Sequence, residues 1–272
     1  MSCGGINSGC DATCNSNDAT KQCFVLNMDW KSESTGAVGR WESSVVGNLN
    51  EARWRASVVT LPVGVYVLGG LGVHGTATSS DFLPAGATSW SRGPDLPIIF
   101  YHSCAVAISS TKFLIIRRDS STGQGIWEFD VDQTAGDPTD FNGWQPEDTW
   151  PNLLSRRFSG FGCAVVGSTL VVAGGGSGDN RKTTEIIDLE TKAIRLGQDM
   201  LGIREWFQLF TVVSPGSKPT LLALGGWSGS SMLRTVEEWD PESETWREAE
   251  GELVQARSDY GAVVLDKSLV CA

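Results

Sequence analysis

Short apolar runs interrupted by turn-forming residues are the dominant pattern of this chain. Runs such as residues 58–61 and 169–173 end where Gly, Pro or polar residues follow. Runs of about four to eight residues are typical of β-strands, and they are far shorter than the roughly 20 apolar residues that span a membrane as a helix. We therefore predict many short strands joined by tight turns, and no insertion into a membrane.

Pairs of adjacent glycines recur after these apolar strands. They stand at Gly4-Gly5, Gly69-Gly70, Gly174-Gly175 and Gly225-Gly226, and a degenerate copy with Arg117-Arg118 lies between the second and third. The spacing of roughly 47 to 65 residues indicates an internal repeat of about 50 residues. In the best-preserved copy, an Arg precedes two apolar strands, the second strand ends in the glycine pair, and a strand with an aromatic residue and a turn leads to a Trp.

This order of features resembles the Kelch motif. Its clearest tract runs from Trp239-Asp240-Pro241 to Trp246, where the two aromatic residues stand seven apart. The resemblance covers nearly the whole chain, with departures at Arg117-Arg118 and at Ile194, where Trp is expected. It implies an all-β, Kelch-type β-propeller of about five four-stranded antiparallel blades around a central channel. The aromatic residues expected to pack between blades are Trp41, Trp90, Trp246 and Tyr66.

The repeats divide one propeller domain, residues 1–272, into five units. Their approximate limits are 257–272 together with 1–50, then 51–98, 99–152, 153–201 and 202–256. The last segment predicts one strand at 261–265 and the start of another at 268–272, so N- and C-terminal strands would share one blade and remove the open sheet edges. Residues 1–3 and 270–272 compete for the same strand positions. A fragment of a six- or seven-bladed propeller is therefore the alternative.

The amino-acid composition and the net charge limit the classes of partner and fold that suit this chain. The net charge of −11 argues against nucleic acid as a partner, because such binding depends on clustered Lys and Arg. The 32 glycines and 11 tryptophans suit an all-β protein with tight turns. The first thirty residues lack a basic segment followed by an apolar one, which favours a cytoplasmic location for the chain as it stands, or an extracellular one if it is a fragment of a secreted protein.

Four cysteines crowd into the N-terminal segment, at Cys3, Cys10, Cys14 and Cys23. Disulfides in an oxidising compartment and free thiols in a reducing one are both open interpretations. Zinc is disfavoured, since the spacings differ from the short pairs that usually bind it. Cys104 and Cys163 lie in apolar runs and are predicted to be buried thiols that pack as small hydrophobic groups.

Candidate catalytic chemistry is sparse. The chain has two histidines, His74 and His102, and it lacks the motifs of a nucleophile elbow, a zinc-protease helix or a phosphate-binding loop. We therefore expect no enzyme activity, no cofactor and no metal site. Some propellers that resemble Kelch proteins act on sugars, as galactose oxidase and sialic-acid epimerases do. Three tyrosines and two histidines do not assemble the oxidase site, but a carbohydrate-binding or carbohydrate-active propeller is the alternative function.

The repeats place one basic residue before the first strand of each blade. In the family, the loops there line one mouth of the channel and often bind peptides. The predicted ring comprises Arg53, His102, Arg157, Arg204 and Arg257, flanked by Trp54, Tyr101, Phe158, Trp206 and Tyr260. We hypothesise a protein-interaction scaffold that captures a partner protein or acidic peptide there through guanidinium–carboxylate pairing. In the alternative interpretation, these arginines satisfy carbonyl groups inside the fold.

Overall fold

The structure is a computed structural model. It describes residues 2–3, 23–31, 38–42, 45–72, 75–76, 78–117, 125–146, 149–155, 157, 160–176, 181–213, 216–262 and 264. Several features named above lie outside the described residues, namely Gly4-Gly5, Cys10, Cys14, His74, Phe158 and the segment 265–272.

In the described part of the chain, five antiparallel sheets of three or four strands follow one another, and we refer to them as blades 1 to 5. Blade 1 contains β1 (Ser2–Cys3), β2 (Cys23–Lys31) and β3 (Val38–Glu42). Blade 2 contains β4 (Ser57–Leu61), β5 (Gly64–Leu68), β8 (Ser80–Pro84) and β9 (Ser91–Arg92), and a small hairpin of β6 (Leu71–Gly72) and β7 (Gly75–Thr76) extends from it.

The next three blades repeat this order. Blade 3 contains β10 (Cys104–Ala107), β11 (Lys112–Ile116) and β12 (Ile126–Asp130), with a bridge from Phe129 to Trp144 in the fourth position. Blade 4 contains β13 (Gly162–Val166), β14 (Thr169–Ala173), β15 (Thr184–Asp188) and β16 (Ile194–Leu196). Blade 5 contains β17 (Gln208–Val212), β18 (Thr220–Leu224), β19 (Val236–Asp240) and β20 (Thr245–Glu248). The described helical turns are Val131–Gln133 and Phe141–Gly143, and no described helix is long and apolar enough to cross a membrane.

The glycine pair ends the second strand of a blade for a steric reason. In blade 4, Gly174 and Gly175 have φ values of +64° and +63°. A Cβ atom on Gly174 would lie 2.5 Å from the backbone oxygen of Arg204, which belongs to the connection into blade 5. Only glycine accepts this backbone conformation without strain and this close approach of another chain segment.

The first strands of the blades lie at the centre of the molecule. Strands β4, β10, β13 and β17 contact their neighbours in that order. Four hydrophobic clusters fill the spaces between consecutive blades, so each sheet buries its faces against the next, as expected for a propeller. The Kelch-type all-β fold is therefore confirmed.

The structure also tests individual expectations. Tyr66, Trp90 and Trp246 are buried as predicted, and Trp41 lies in β3. The strand predicted at 261–265 is absent at its described residues 261, 262 and 264, which are exposed and have no strand partner in the described part of the chain. The number of blades and the sharing of one blade by both ends remain predictions.

The prediction of buried thiols at Cys104 and Cys163 is wrong. These two residues form a disulfide with a Cα–Cα distance of 5.9 Å, because the first strands of blades 3 and 4 lie side by side. In blade 1, Cys23 is fully buried and disulfide-bonded, and the strand register places Cys3 opposite it. The pairing among the four N-terminal cysteines stays a prediction.

Candidate functional site at the channel mouth

Three arginines of the predicted ring lie in the interior of the blades. Arg53, Arg157 and Arg204 are at most 2% exposed. Each donates to the carbonyl of the first glycine in its own blade's pair and forms an ion pair with a carboxylate on the third strand. The ion pairs are Arg53–Asp81 at 2.8 Å, Arg157–Glu185 at 3.0 Å and Arg204–Glu237 at 2.9 Å. We therefore assign these three arginines to the fold and not to ligand binding, as the alternative interpretation anticipates.

The degenerate blade needs a corrected alignment. The second glycine of each preceding pair donates to one carbonyl in the connection to the next blade, and the acceptors are Phe100, Arg204 and Arg257. Phe100, and not His102, therefore occupies the arginine position before blade 3. His102 lies two residues further on, in the position that Arg55 has before blade 2. Spacing from the degenerate pair Arg117-Arg118 therefore places the arginine position two residues too late.

One residue before each of the inner strands β4, β10, β13 and β17 adopts a left-handed backbone conformation, and Asp259 adopts it at the equivalent place after blade 5. We call these five residues the mouth ring: Arg55, His102, Gly160, Trp206 and Asp259, with φ values of +59°, +51°, +73°, +52° and +54°. Such values are unusual for residues other than glycine, and they cost of order 1 to 3 kcal/mol each. Repetition of the same strained conformation at equivalent places shows that the surrounding structure imposes it.

Backbone hydrogen bonds join the members of the mouth ring. The amide of each member from His102 to Asp259 donates to the carbonyl of the preceding member, with N–O distances of 3.1, 3.0, 2.7 and 2.9 Å. The last member then contacts the first, because Arg55 Nε donates to Asp259 Oδ2 at 3.2 Å. The ring is thus closed, and it lies at the level where the inner strands β4, β10, β13 and β17 begin, where the resemblance places the channel mouth.

Aromatic side chains surround His102. Its ring meets those of Trp54 and Trp206 edge to face, with centroids 6.4 and 6.3 Å away, and Tyr101 lies at 6.0 Å. Burial lowers the pKa of His102 to about 4, and the nearby positive charge of Arg55 acts in the same direction. His102 therefore presents a neutral imidazole at physiological pH.

Three polar atoms in this aromatic group are buried without a hydrogen-bond partner among the described residues. They are Trp54 Nε1, His102 Nε2 and Trp206 Nε1. Trp206 also packs directly on the backbone of Gly160, where a Cβ atom would lie 2.7 Å from its Cδ1. Buried polar atoms without partners are rare in folded proteins, and these three lie together beside the mouth ring, while others, such as Trp90 Nε1, Trp127 Nε1 and Trp239 Nε1, lie elsewhere in the described residues.

Arg55 is the mouth-ring cation that sequence reasoning missed. Its guanidinium carbon lies 3.9 Å from the centroid of the Trp54 ring, and its side chain is 28% exposed. Among the described residues, only its Nε has a polar partner, Asp259. The guanidinium is therefore held in place by stacking and by one ion pair, while its Nη edge stays open to a ligand.

The other predicted site residues differ in how far their side chains are exposed to solvent. Arg257 is exposed and lies over Tyr260, whose hydroxyl donates to Leu224 O at 2.8 Å. Burial raises the pKa of Tyr260. Tyr101 is half-buried, and the guanidinium of Arg117 stacks on it at 4.4 Å. Arg257, Tyr260, Tyr101, His102 and Trp206 therefore lie around the mouth, and the three buried arginines do not.

Exposed apolar side chains lie on the same face as the mouth ring. They belong to the connections between blades and to the β18–β19 connection, which emerge on this face because antiparallel strands alternate in direction. We call them the apolar rim: Ile99, Leu154, Leu201, Ile203, Met232 and Val254, which are 36% to 91% exposed. They are six of the twelve large hydrophobic residues exposed in the described part of the chain. Exposed apolar groups that lie on one face are available to form an interaction surface with a partner.

Comparison with known proteins connects these features to a family. The Kelch motif model matches residues 216–250. The chain is 34% identical over 128 residues to the Kelch repeat-containing protein kel-10 of Caenorhabditis elegans. This match covers 47% of the chain and 22% of kel-10. It is also 34% identical over 110 residues to a Kelch repeat and BTB domain-containing protein of the same organism. That match covers 40% of the chain and 19% of the relative. The chain spans about a fifth of the length of the curated relatives it matches.

Proposed function

Taking the chain as a Kelch-repeat protein, we propose that it is a non-catalytic scaffold that binds a partner protein at the channel mouth. Kelch-repeat proteins are generally protein-interaction scaffolds. The observation that carries the proposal is the coincidence of the mouth ring, an accessible cation and the apolar rim on one face. Function-bearing residues are commonly placed on loops that a rigid scaffold holds in position, and the connections between blades fit that description.

The partner segment that suits this face combines apolar side chains with a carboxylate. Apolar contacts to the rim supply buried area, and aromatic and arginine side chains at the centre supply the strongest individual contacts. The open Nη edge of Arg55 suits a carboxylate, because a guanidinium pairs with it through two parallel hydrogen bonds. An acidic peptide is therefore the proposed ligand, with Arg55 and Arg257 replacing the buried arginines as its cationic contacts.

A peptide selection tests this proposal and does not require an identified partner. A random peptide library displayed on phage is selected against the immobilised chain, and the affinities of the recovered peptides are measured by calorimetry. We expect recovered peptides to carry an Asp, a Glu or a free C-terminal carboxylate beside apolar residues. Arg55→Gln should weaken their binding at least tenfold, which corresponds to about 1.4 kcal/mol.

The matched control is Arg247→Gln. Arg247 lies on the outer strand β20, is 68% exposed and pairs with Glu238, so it shares the charge of Arg55 but lies away from the mouth. Its substitution should leave affinity unchanged. Equal loss in both variants, or binding that Arg55→Gln leaves intact, would contradict the proposal, as would a chain that binds glycans and no peptide.

A further inference from the structure

At three of the five mouth-ring members, the side chain two residues later links one blade to the next. In blade 2, Ser57 Oγ donates to Ser103 O of blade 3's connection at 2.7 Å. In blade 5, Gln208 Nε2 donates to Tyr260 O at 2.5 Å. Both links join the inner strand of one blade to the residue that follows the next member of the mouth ring. Hydrogen bonds of this kind do not depend on the redox state of the surroundings.

Cys104 occupies the same position in blade 3, two residues after His102. Its link to the next blade is the disulfide with Cys163, which lies on inner strand β13. This covalent link therefore replaces the polar link found at Ser57 and Gln208. In blade 4 the position belongs to Gly162, and Thr211 Oγ1 supplies the contact to Val165 O instead. Among the described inner-strand links, the one between blades 3 and 4 is the link that a reductant can break.

The disulfide lies beside one bond of the mouth ring. Gly160 N donates to His102 O at 3.0 Å, and the chain reaches the two cysteines two and three residues later. His102 in turn contacts Trp54 and Trp206, and Trp206 rests on Gly160. A change in the separation of the two strands at Cys104 is therefore transmitted directly to the residues that form the mouth.

We propose that the Cys104–Cys163 disulfide is a redox-sensitive clamp that regulates the channel mouth, with the ring held closed when the bond is intact and loosened when it is reduced. One part of this inference rests on the proposed function: the expectation that the partner binds more weakly after the disulfide is reduced. The loosening of the ring itself is a property of the protein without a partner.

The two sulfurs differ in access, and this difference gives the direction of the reaction. Cys104 is half-buried, whereas Cys163 is 6% exposed. The thiolate of a dithiol attacks the more accessible Sγ of Cys104, the S–S bond breaks, and Cys163 leaves as a thiolate that takes up a proton. The second thiol of the reagent then displaces Cys104 as a thiol and leaves the reagent oxidised to its own disulfide. Two electrons pass from the dithiol to the protein.

Reduction leaves a much weaker contact in place of the covalent bond. The sulfur of Cys104 lies 3.5 Å from Cys163 O, and a thiol is a weak hydrogen-bond donor. The interface then depends on the ring bond and on apolar packing in the cluster that includes Cys163 and Leu170. Local opening at this interface should become more frequent, and amide hydrogen exchange reports such opening directly.

Hydrogen exchange of individual amides, followed by NMR, tests the clamp. The Gly160 amide bonds to His102 O, and the Trp206 amide bonds to Gly160 O. We expect both to exchange at least tenfold faster after reduction with dithiothreitol than in the oxidised protein. The Gly226 amide, which bonds to Arg257 O on the far side of blade 5, should not change and serves as the internal reference.

Two variants separate this disulfide from the other cysteines. In Cys104→Ser and in Cys163→Ala, exchange at Gly160 should be the same in oxidising and reducing buffer. Equal exchange in oxidised and reduced wild type would overturn the clamp, as would a response to dithiothreitol that persists in both variants. The wild-type comparison needs no variant to fold. Because no partner is present, failure of the Arg55-dependent peptide binding would overturn the proposed function and leave the clamp standing.

Discussion

Arg55 Nε lies 3.2 Å from Asp259 Oδ2, which joins the first and last members of the mouth ring across 204 positions of sequence. The other links of the ring are backbone hydrogen bonds between consecutive members. The ion pair therefore closes a five-membered ring in the described part of the chain. With side chains 28% and 44% exposed, such a pair contributes about 0 to 1 kcal/mol, so its chief effect is to orient Arg55.

Removing one partner of a buried ion pair should destabilise the fold strongly. Arg157 and Glu185 are both fully buried and lie 3.0 Å apart. Arg157→Met leaves a buried carboxylate without its counter-charge, so we expect the free energy of unfolding to fall by about 3 to 5 kcal/mol in chemical denaturation. Combining it with Glu185→Leu should recover most of that loss.

The control for this prediction is Arg247→Met, at an ion pair whose arginine is 68% exposed. It should change the free energy of unfolding by less than about 1 kcal/mol. A loss below that limit for Arg157→Met would show that the buried arginines are dispensable to the fold and would reopen their assignment to ligand binding.

Alanine substitutions at two glycines with nearly equal φ values distinguish the effect of backbone strain from the effect of steric contact. Gly167 has φ +60° with no atom within 4 Å of an added Cβ, and Gly174 has φ +64° with the Arg204 carbonyl oxygen 2.5 Å away. In both alanine variants, the left-handed backbone conformation should lower the free energy of unfolding by about 1 to 2 kcal/mol. Gly174→Ala should lose a further 1 to 3 kcal/mol or so, because backbone must move to admit the methyl group. Equal losses in thermal or chemical unfolding would refute the steric role of the glycine pair.

The imidazole of His102 should make stability depend on pH. Its pKa of about 4 lies below the ordinary value of 6.5, because burial and the charges of Arg55 and Arg117 disfavour the protonated form, with Asp259 opposing them. Between pH 6.5 and 4 the folded protein binds fewer protons here than the unfolded chain. The free energy of unfolding should therefore fall as pH is lowered through this window, by an amount on the order of 3 kcal/mol.

Comparison with His102→Asn isolates this contribution, because asparagine accepts a left-handed conformation and does not titrate. Carboxylates with lowered pKa values, such as Asp188 and Asp240, titrate in both proteins and cancel in the difference. Urea denaturation at pH 7 and pH 4.5 is the measurement. Parallel pH profiles for the two proteins would contradict the assignment.

The fold was predictable because its signals are local. A glycine pair after an apolar run, and an aromatic residue seven positions before a Trp, each report one turn or one hairpin. The burial of the arginines was also foreseeable in principle, since an acidic residue stands second in a third strand that packs in the core of each of these blades, at Asp81, Glu185 and Glu237. A carboxylate in such a strand requires a buried cation.

The candidate site was harder to predict, because backbone geometry defines it and residue type does not. Arg55, His102, Gly160, Trp206 and Asp259 share a φ value and a hydrogen-bond pattern but no chemistry. Spacing from a degenerate glycine pair therefore aligned His102 with the wrong residues. The Cys104–Cys163 bond was missed because its partners are 59 residues apart and meet only when two blades pack side by side.

The central claim, that a partner occupies the channel mouth, is tested most directly by a hydrogen-exchange footprint of the chain with a peptide recovered from the library. We predict slower exchange in the connections at residues 97–103, 200–207 and 253–260, which carry three of the five mouth-ring residues and four of the six apolar-rim residues. The turns at 107–112, 188–194 and 240–245, at the other end of the strands, should exchange as in the free protein. Protection confined to those turns, with none at the connections, would contradict the account.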